Sequence, residues 1–325
     1  MEKNGTRTLV VTGGAGFIGS ALIRHLNDLG MDDIVIVDDL GTDEKWKNLV
    51  GKRFLDLVPI DACFKWIEGR DVAAIFHLGA CADTTETDAD FFLRRNTKFS
   101  MRLAKYAVEH KARFIYASSA ATYGDGGHGF LDDHASLHLL RPLNIYGYSK
   151  HLFDLWLQRH GFLRNVVGLK YFNVFGPNEG HKGRMSSIIP HMLPDVLQGN
   201  AVRLFKSDTA EYADGEQRRD FVYVKDVVKM TAAFLHTDAC GIYNVGTGEA
   251  TTWNRLVSAI FKAAGKPCKI DYIPMPKDLE GKYQNYTQAD MAKTQSVLGD
   301  VARCRSCEDA VADYVNDHLI SGELW

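Results

Sequence analysis

The stretch that most limits how this chain can fold is Val10-Val11-Thr12-Gly13-Gly14-Ala15-Gly16-Phe17-Ile18-Gly19. Leu9-Val10-Val11 reads as a short buried strand, and apolar residues recur at helical spacing from Phe17 to Leu29. Glycines 13, 16 and 19 suit a turn with three demands: a sharp reversal, backbone N–H groups brought close to a phosphate, and a helix packed tightly on a strand. A tight strand–helix turn can also exist without a ligand. Here a second strand, Asp33-Ile34-Val35-Ile36-Val37, follows and ends in Asp38 and Asp39. An acid about twenty residues beyond such glycines is where a ribose hydroxyl is gripped. The combination predicts a dinucleotide site. The residues leave the nucleotide open: Asp38 repels a 2′-phosphate and favours NAD, whereas Lys45 and Lys47 can neutralise one and favour NADP.

Strand-like runs alternate with helix-like runs through the first half. Ala73–Leu78, Arg113–Ala117 and Val166–Tyr171 read as further strands, with amphipathic stretches at Phe91–Glu109 and Ser149–His160 between them. This pattern predicts an α/β fold, a doubly wound parallel sheet of Rossmann type. From about Gly176 the pattern becomes irregular, with Pro177, Pro190 and Pro194 and a polar loop at Ser207–Gln217. We expect a smaller interleaved α/β substrate domain, with 1–176 and 217–240 forming the dinucleotide-binding domain and 177–216 and 241–325 the substrate domain. In such sheets ligands lie beyond the carboxyl ends of the strands.

Charge excludes some classes. With 38 basic against 41 acidic residues and no basic stripe, nucleic acid is not an expected partner. The polar start and the lack of a long apolar run make a cytoplasmic, non-membrane protein the expectation. Cys304-Arg305-Ser306-Cys307 has half-site spacing but no second pair, and the 12 His are scattered, so no metal is expected.

Tyr146 and Lys150 in Asn144-Ile145-Tyr146-Gly147-Tyr148-Ser149-Lys150 lie at i, i+4, on one face of a helix. Such a pair occurs on many amphipathic helices; the glycine loop upstream gives it weight. An ammonium near a phenol is expected to hold the phenol below its ordinary pKa of about 10. A general base that takes a proton from a sugar hydroxyl near neutral pH needs that.

With the glycine loop, Ser119, Tyr146 and Lys150 together, the chain resembles the extended short-chain dehydrogenase/reductase family nearly end to end. Gly79–Glu86, Tyr116–Gly124, Tyr171–Gly183, Arg219–Val224 and Tyr283–Asp290 resemble its branch of nucleotide-sugar epimerases acting at carbon 6 of an ADP-heptose. The resemblance implies interconversion of ADP-D-glycero- and ADP-L-glycero-β-D-manno-heptose for the lipopolysaccharide inner core. A UDP-hexose 4-epimerase shares the first half of the motifs but does not need Gly180-His181-Lys182-Gly183. It also implies that Ser119 bonds the substrate oxygen, that Tyr146 exchanges its proton and that Lys150 holds the nicotinamide ribose. Inversion at an exocyclic carbon calls for a second proton-handling group. Lys182 matches the family's lysine there, as an acid/base or as a binding residue alone.

By the same resemblance the cofactor is NADP, NAD being the alternative. It would be held by Gly13, Gly16, Phe17, Ile18, Gly19, Asp38, Asp39, Lys45, Leu78, Gly79, Ala80, Cys81, Ala82, Asn96, Lys150, Val174 and Lys182. Substrate contacts would be Ser119, Asn173, Arg184, His191, Phe205, Lys206, Ser207, Asp208, Arg219 and Tyr283, with Arg219 suited to a forked phosphate contact. Relatives of this kind form homo-oligomers, and the resemblance implies a homopentamer.

Overall fold

Uninterrupted runs of Val, Ile and Leu, without polar alternation, demand burial on both faces. The computed structural model, which describes residues 7–82, 86–276 and 284–325, supplies it. Its strands are β1 (Thr8–Thr12), β2 (Ile34–Val37), β3 (Asp56–Val58), β4 (Val72–His77), β5 (Arg113–Ser119), β6 (Val166–Tyr171) and β7 (Asn173–Phe175). They continue with β8 (Val202–Phe205), β9 (Arg218–Arg219), β10 (Phe221–Tyr223), β11 (Gly241–Val245), β12 (Thr251–Thr252) and β13 (Ile270–Ile273). Seven of them form one sheet in the order β11-β6-β5-β4-β1-β2-β3, with every pair parallel.

The helices are α1 (Phe17–Asp28), α2 (Cys63–Ile67), α3 (Ala89–Phe92), α4 (Phe99–Glu109), α5 (Ile145–Arg159), α6 (Ile188–Leu197), α7 (Val224–Ala233), α8 (Trp253–Ala263), α9 (Ala292–Leu298) and α10 (Cys307–Asp313). Chain order reverses between β1 and β4, so a crevice opens at the carboxyl ends of those two strands, the place where doubly wound sheets bind ligands.

The expected doubly wound α/β fold is present, with three differences. The expected helix Phe91–Glu109 is broken into α3, a π-helical turn at Leu93–Lys98, and α4. Strands β3 and β11 went unforeseen, because three- and five-residue segments with mixed polarity carry little periodic signal. The third difference concerns the domain boundary expected at 240/241. It falls on the first residue of β11, which pairs with β6, so 241–245 extends the dinucleotide-binding sheet rather than the substrate part. Beyond the sheet lie three two-stranded ribbons: β7 with β10 and β8 with β13, both parallel, and β9 with β12, antiparallel. Helix α8 packs against α6 and α10 there.

One buried carboxylate gathers the segments of this smaller region. Asp220, fully buried, accepts from Thr247 N at 2.7 Å, Thr247 Oγ1 at 2.8 Å, Gly248 N at 3.0 Å and Ala289 N at 3.0 Å. Burial raises its pKa and these donors oppose the rise. Asp220→Ala strips one partner from each of these donors and should lower stability by about 3 kcal/mol, read as a lower denaturant midpoint at unchanged slope. A wild-type midpoint would show that the clamp carries no stability.

Candidate active site

The glycine turn is built from backbone crowding. Gly13 has φ +70°, and a Cβ there would stand 2.5 Å from the Gly79 Cα; one on Gly19 would stand 2.1 Å from the Gly13 carbonyl oxygen. Neither position tolerates a side chain, so the β1 turn can lie against the segment that leaves β4. Helix α1 then starts at Phe17 with no side-chain cap at Gly16 and no acid in its first turn. Its leading N–H groups, on Phe17, Ile18 and Gly19, are therefore left for an anion. Asp38 is buried and braces the turn: its Oδ2 accepts from Ala15 N at 2.9 Å, and its Oδ1 from Asp39 N at 2.9 Å and Lys45 Nζ at 3.0 Å. Lys45 also donates to the Asp39 carbonyl at 2.6 Å. Lys47 is not part of this group; its ammonium pairs with Glu44 on the surface.

Leu78, Gly79, Ala80, Cys81 and Ala82 leave β4 beside that turn, and residues 83–85 lie outside the described segments. Asn96 pins this stretch: its Oδ1 accepts from Cys81 N and its Nδ2 donates to the Cys81 carbonyl, both at 2.9 Å, and to Ser149 Oγ at 3.0 Å. The π-helical turn, with one residue more than a regular turn, holds Asn96 there. Beneath it runs a closed chain of hydrogen bonds. Gly79 N donates to Thr12 Oγ1, which meets His77 Nδ1 at 2.7 Å; His77 Nε2 meets Ser100 Oγ at 2.7 Å, and Ser100 donates to the Asn96 carbonyl. That pattern closes only with a neutral ring protonated on Nε2. Burial, helped by Lys150, pushes the His77 pKa down to about 3.

Ser119 ends β5, and Tyr146 and Lys150 stand on the first turns of α5, whose N-cap Asn144 accepts from Gly147 N at 2.8 Å. The Ser119 hydroxyl stands beside the Tyr146 phenol, near enough to favour its ionised form. The expected lowering of that phenol is corrected here: burial raises its pKa, and the neighbouring Ser119 hydroxyl opposes the rise. Lys150 instead spends its ammonium on the Ala117 carbonyl at 2.8 Å. Burial brings the Lys150 pKa down to about 8, against the pull of Asp154. Asp154, one turn on and fully buried, accepts from Tyr116 Oη and Ser118 Oγ at 2.8 Å each and pairs with buried Lys170 at 3.4 Å.

Lys182 lies in the short helix Gly180–Met185, its ammonium 5.3 Å from the centre of the Phe17 ring at the start of α1. Burial lowers its pKa and Glu179 opposes this. Buried Glu179 is held by Ser187 N at 2.7 Å and by Tyr314 Oη at 3.0 Å. Asn48 ties the segment to the glycine turn, donating to the carbonyls of Ala15 at 3.0 Å and Asn178 at 3.1 Å.

Among the expected substrate contacts, Phe205 lines an apolar slot of about 210 Å³ with Ile188, Met192 and Trp253. Arg219 is buried on β9, and Asn173 begins β7, with Val174 after it. His191 is exposed on α6, its Nε2 at 2.9 Å from Ser186 Oγ, and Arg184 is exposed nearby. Lys206 is exposed; Ser207 N donates to Asp214 at 2.9 Å, and Asp208 accepts from Asn285 at 3.1 Å. Tyr283 lies outside the described residues. Sequence reasoning missed Asn48, Asp154, Lys170 and Gln217, all of them polar residues whose burial no local pattern announces. Among the described residues no group of three or more His, Cys, Asp or Glu is placed to hold a metal.

Residues 9–246 match the NAD dependent epimerase/dehydratase family. The chain is 49% identical over 319 residues to an ADP-L-glycero-D-manno-heptose-6-epimerase of Nitratidesulfovibrio vulgaris (strain DP4), covering 97% of this chain and 98% of the relative. A protein of the same description from Fusobacterium nucleatum is 43% identical, with 96% and 98% covered. The crystal structure of the Helicobacter pylori protein so described has a TM-score of 0.80 at 29% identity, covering 97% of this chain and 96% of that one. A UDP-glucose 4-epimerase structure from Thermotoga maritima, at TM-score 0.78 and 24% identity over 97% of this chain and 100% of that one, shows the shared fold alone.

The Lys150 ammonium gives a pH signature. Its pKa is about 8 folded against 10.5 unfolded, so between those values the unfolded chain binds the extra proton and stability rises with pH. That gain is complete above the unfolded pKa and is lost as pH falls through the folded one. In cofactor-free protein, wild type should gain up to about 1.4 kcal/mol per pH unit over Lys150→Met across this window. Parallel pH–stability curves for the two proteins would place the Lys150 proton elsewhere.

Proposed function

Because this chain belongs to the NAD dependent epimerase/dehydratase family, we propose that it interconverts ADP-D-glycero-β-D-manno-heptose and ADP-L-glycero-β-D-manno-heptose by transient oxidation at carbon 6. The observation that carries this reading is the Tyr146 phenol in the first turn of α5, beside the Ser119 hydroxyl at the carboxyl end of β5. The uncapped start of α1 suits a pyrophosphate, and Asp38 with Lys45 stands where a ribose would lie. A bound nicotinamide supplies reversible hydride acceptance.

The remaining chemistry belongs to side chains. Ser119 donates to the reacting oxygen, and Tyr146 takes or returns its proton. Lys150, held cationic by Asp154, carries the positive charge that favours the phenolate once a substrate closes the site. Carbon 6 lies outside the sugar ring, so rotation about C5–C6 presents the other face of the ketone and carries its oxygen away from Tyr146. Lys182 is the second acid/base in this proposal, since burial moves its pKa toward neutrality. Arg219 takes the diphosphate. The dinucleotide we propose is NADP: both Asp38 oxygens are already occupied, and Lys45 cancels the charge that would repel a 2′-phosphate. A cytoplasmic homopentamer completes the proposal, checked by sedimentation; among the described residues no helix is long and apolar enough to cross a membrane.

Incubation of pure protein with ADP-D-glycero-β-D-manno-heptose should yield both C6 configurations by NMR, with no solvent deuterium at that carbon. Tyr146→Phe and Lys182→Met should each slow the rate by about 10²–10⁴ with the dinucleotide still bound. A Lys182→Met variant at the native rate would remove Lys182 from the chemistry. Lys45→Ala should weaken NADP relative to NAD by about 10–100-fold, measured by titration. An unchanged ratio would take Lys45 off the 2′-phosphate.

A further inference from the structure

The apolar slot beside Phe205 has walls from α6, β8 and the start of α8. Its volume of about 210 Å³ is below the roughly 300–1,000 Å³ of pockets that take whole drug-sized ligands, and it suits one planar ring system. Two of its wall side chains each keep a buried polar atom without a hydrogen-bond partner among the described residues: Gln217 Oε1, an acceptor, and Trp253 Nε1, a donor. Each such orphan is costly to bury, and native proteins keep few of them. The two residues are neighbours across the β9–β12 ribbon, where Trp253 N donates to the Gln217 carbonyl at 3.2 Å. Trp253 is braced edge-on by Phe221, ring centres 4.9 Å apart.

The strand also relates the slot to the diphosphate contact. Gln217 is 1% exposed and Arg219 6%, with exposed Arg218 between them. Residues two apart on a strand share a face, about 6.7 Å from each other along the chain.

We infer that Gln217 and Trp253 read the base of the nucleotide-sugar, the indole N–H donating to a ring nitrogen and the Gln217 side-chain Oε1 accepting from an exocyclic amine. Adenine carries that acceptor and donor side by side, N7 next to the N6 amine. Guanine sets two acceptors, N7 and O6, on the same edge and would leave Gln217 Oε1 facing one of them. The inference rests on the ADP-sugar reading above.

The test uses enzyme saturated with its nicotinamide dinucleotide, so that the glycine turn is filled, and titrates ADP, GDP and pyrophosphate by calorimetry. Wild type should bind ADP at least tenfold more tightly than GDP. Trp253→Phe keeps the aromatic ring and Gln217→Met keeps the stem. Each should weaken ADP about tenfold, leave pyrophosphate unchanged, and raise KM for the ADP-sugar with kcat retained. Equal wild-type affinity for ADP and GDP overturns the inference without any variant. So does wild-type ADP affinity in both variants, or an equal loss for ADP and pyrophosphate, which marks general damage. Wild type that epimerises the ADP-heptose while showing any of these results sinks the base reading alone. Wild type that neither binds ADP nor epimerises the sugar sinks the functional reading with it.

Discussion

Two backbones touch where β1 and β4 part company, and the rest of the site is arranged around that contact. With Gly13 against Gly79 there is no room for a Cβ on either strand exit. The contact lets the amino end of α1 and the segment through Cys81 approach one crevice. Asp38 fixes the turn from one side and Asn96 fixes the β4 exit from the other. Both use side chains to hold backbone, so the protein's own bonds shape the cradle. Preorganised donors of this kind need no rearrangement when charge arrives, and so act at full strength.

Electrostatics in the second half of the sheet follow from burial rather than from exposed pairs. Lys150, Asp154 and Lys170 all sit out of water, and each has named partners: Ala117 for the first, Tyr116 and Ser118 for the second, Thr122 for the third. A buried carboxylate between two buried ammoniums keeps both cations from neutralising outright, at a desolvation cost that only complete hydrogen bonding offsets. His77 is the opposite case, a ring kept neutral by burial and read by both its nitrogens. The phenol of Tyr146, raised by the same burial, waits on what enters the crevice to shift its balance.

Much of this was legible beforehand because parallel strands announce themselves. β1, β2, β4, β5 and β6 are apolar runs that no amphipathic reading accommodates, and the glycines and Tyr146 with Lys150 mark where the ends of such strands do chemistry. What stayed hidden has a common cause. Asp154 and Asp220 read as surface charge in sequence, yet both are fully buried, because their hydrogen-bond donors come from 36 and 27 residues away or more. Gln217 and Trp253 carry no motif at all; only their position across a two-residue ribbon joins them. β11 was assigned to the wrong side of a boundary since Asn244 interrupts its apolar run, and that side chain turns out to bond Tyr123 at 2.7 Å in the interior.

The π-helical turn at Leu93–Lys98 has a consequence for how this chain tolerates change in length. Each residue of a regular helix advances about 100° around the axis. Deleting a single residue there would let α3 and α4 fuse into one unbroken helix, a locally favourable outcome that also swings Asn96 about a quarter-turn off Cys81. The tally of residues between the two helices is therefore as informative as their chemistry. A frame-preserving loss of one codon in this stretch would heal the helix and blind the crevice.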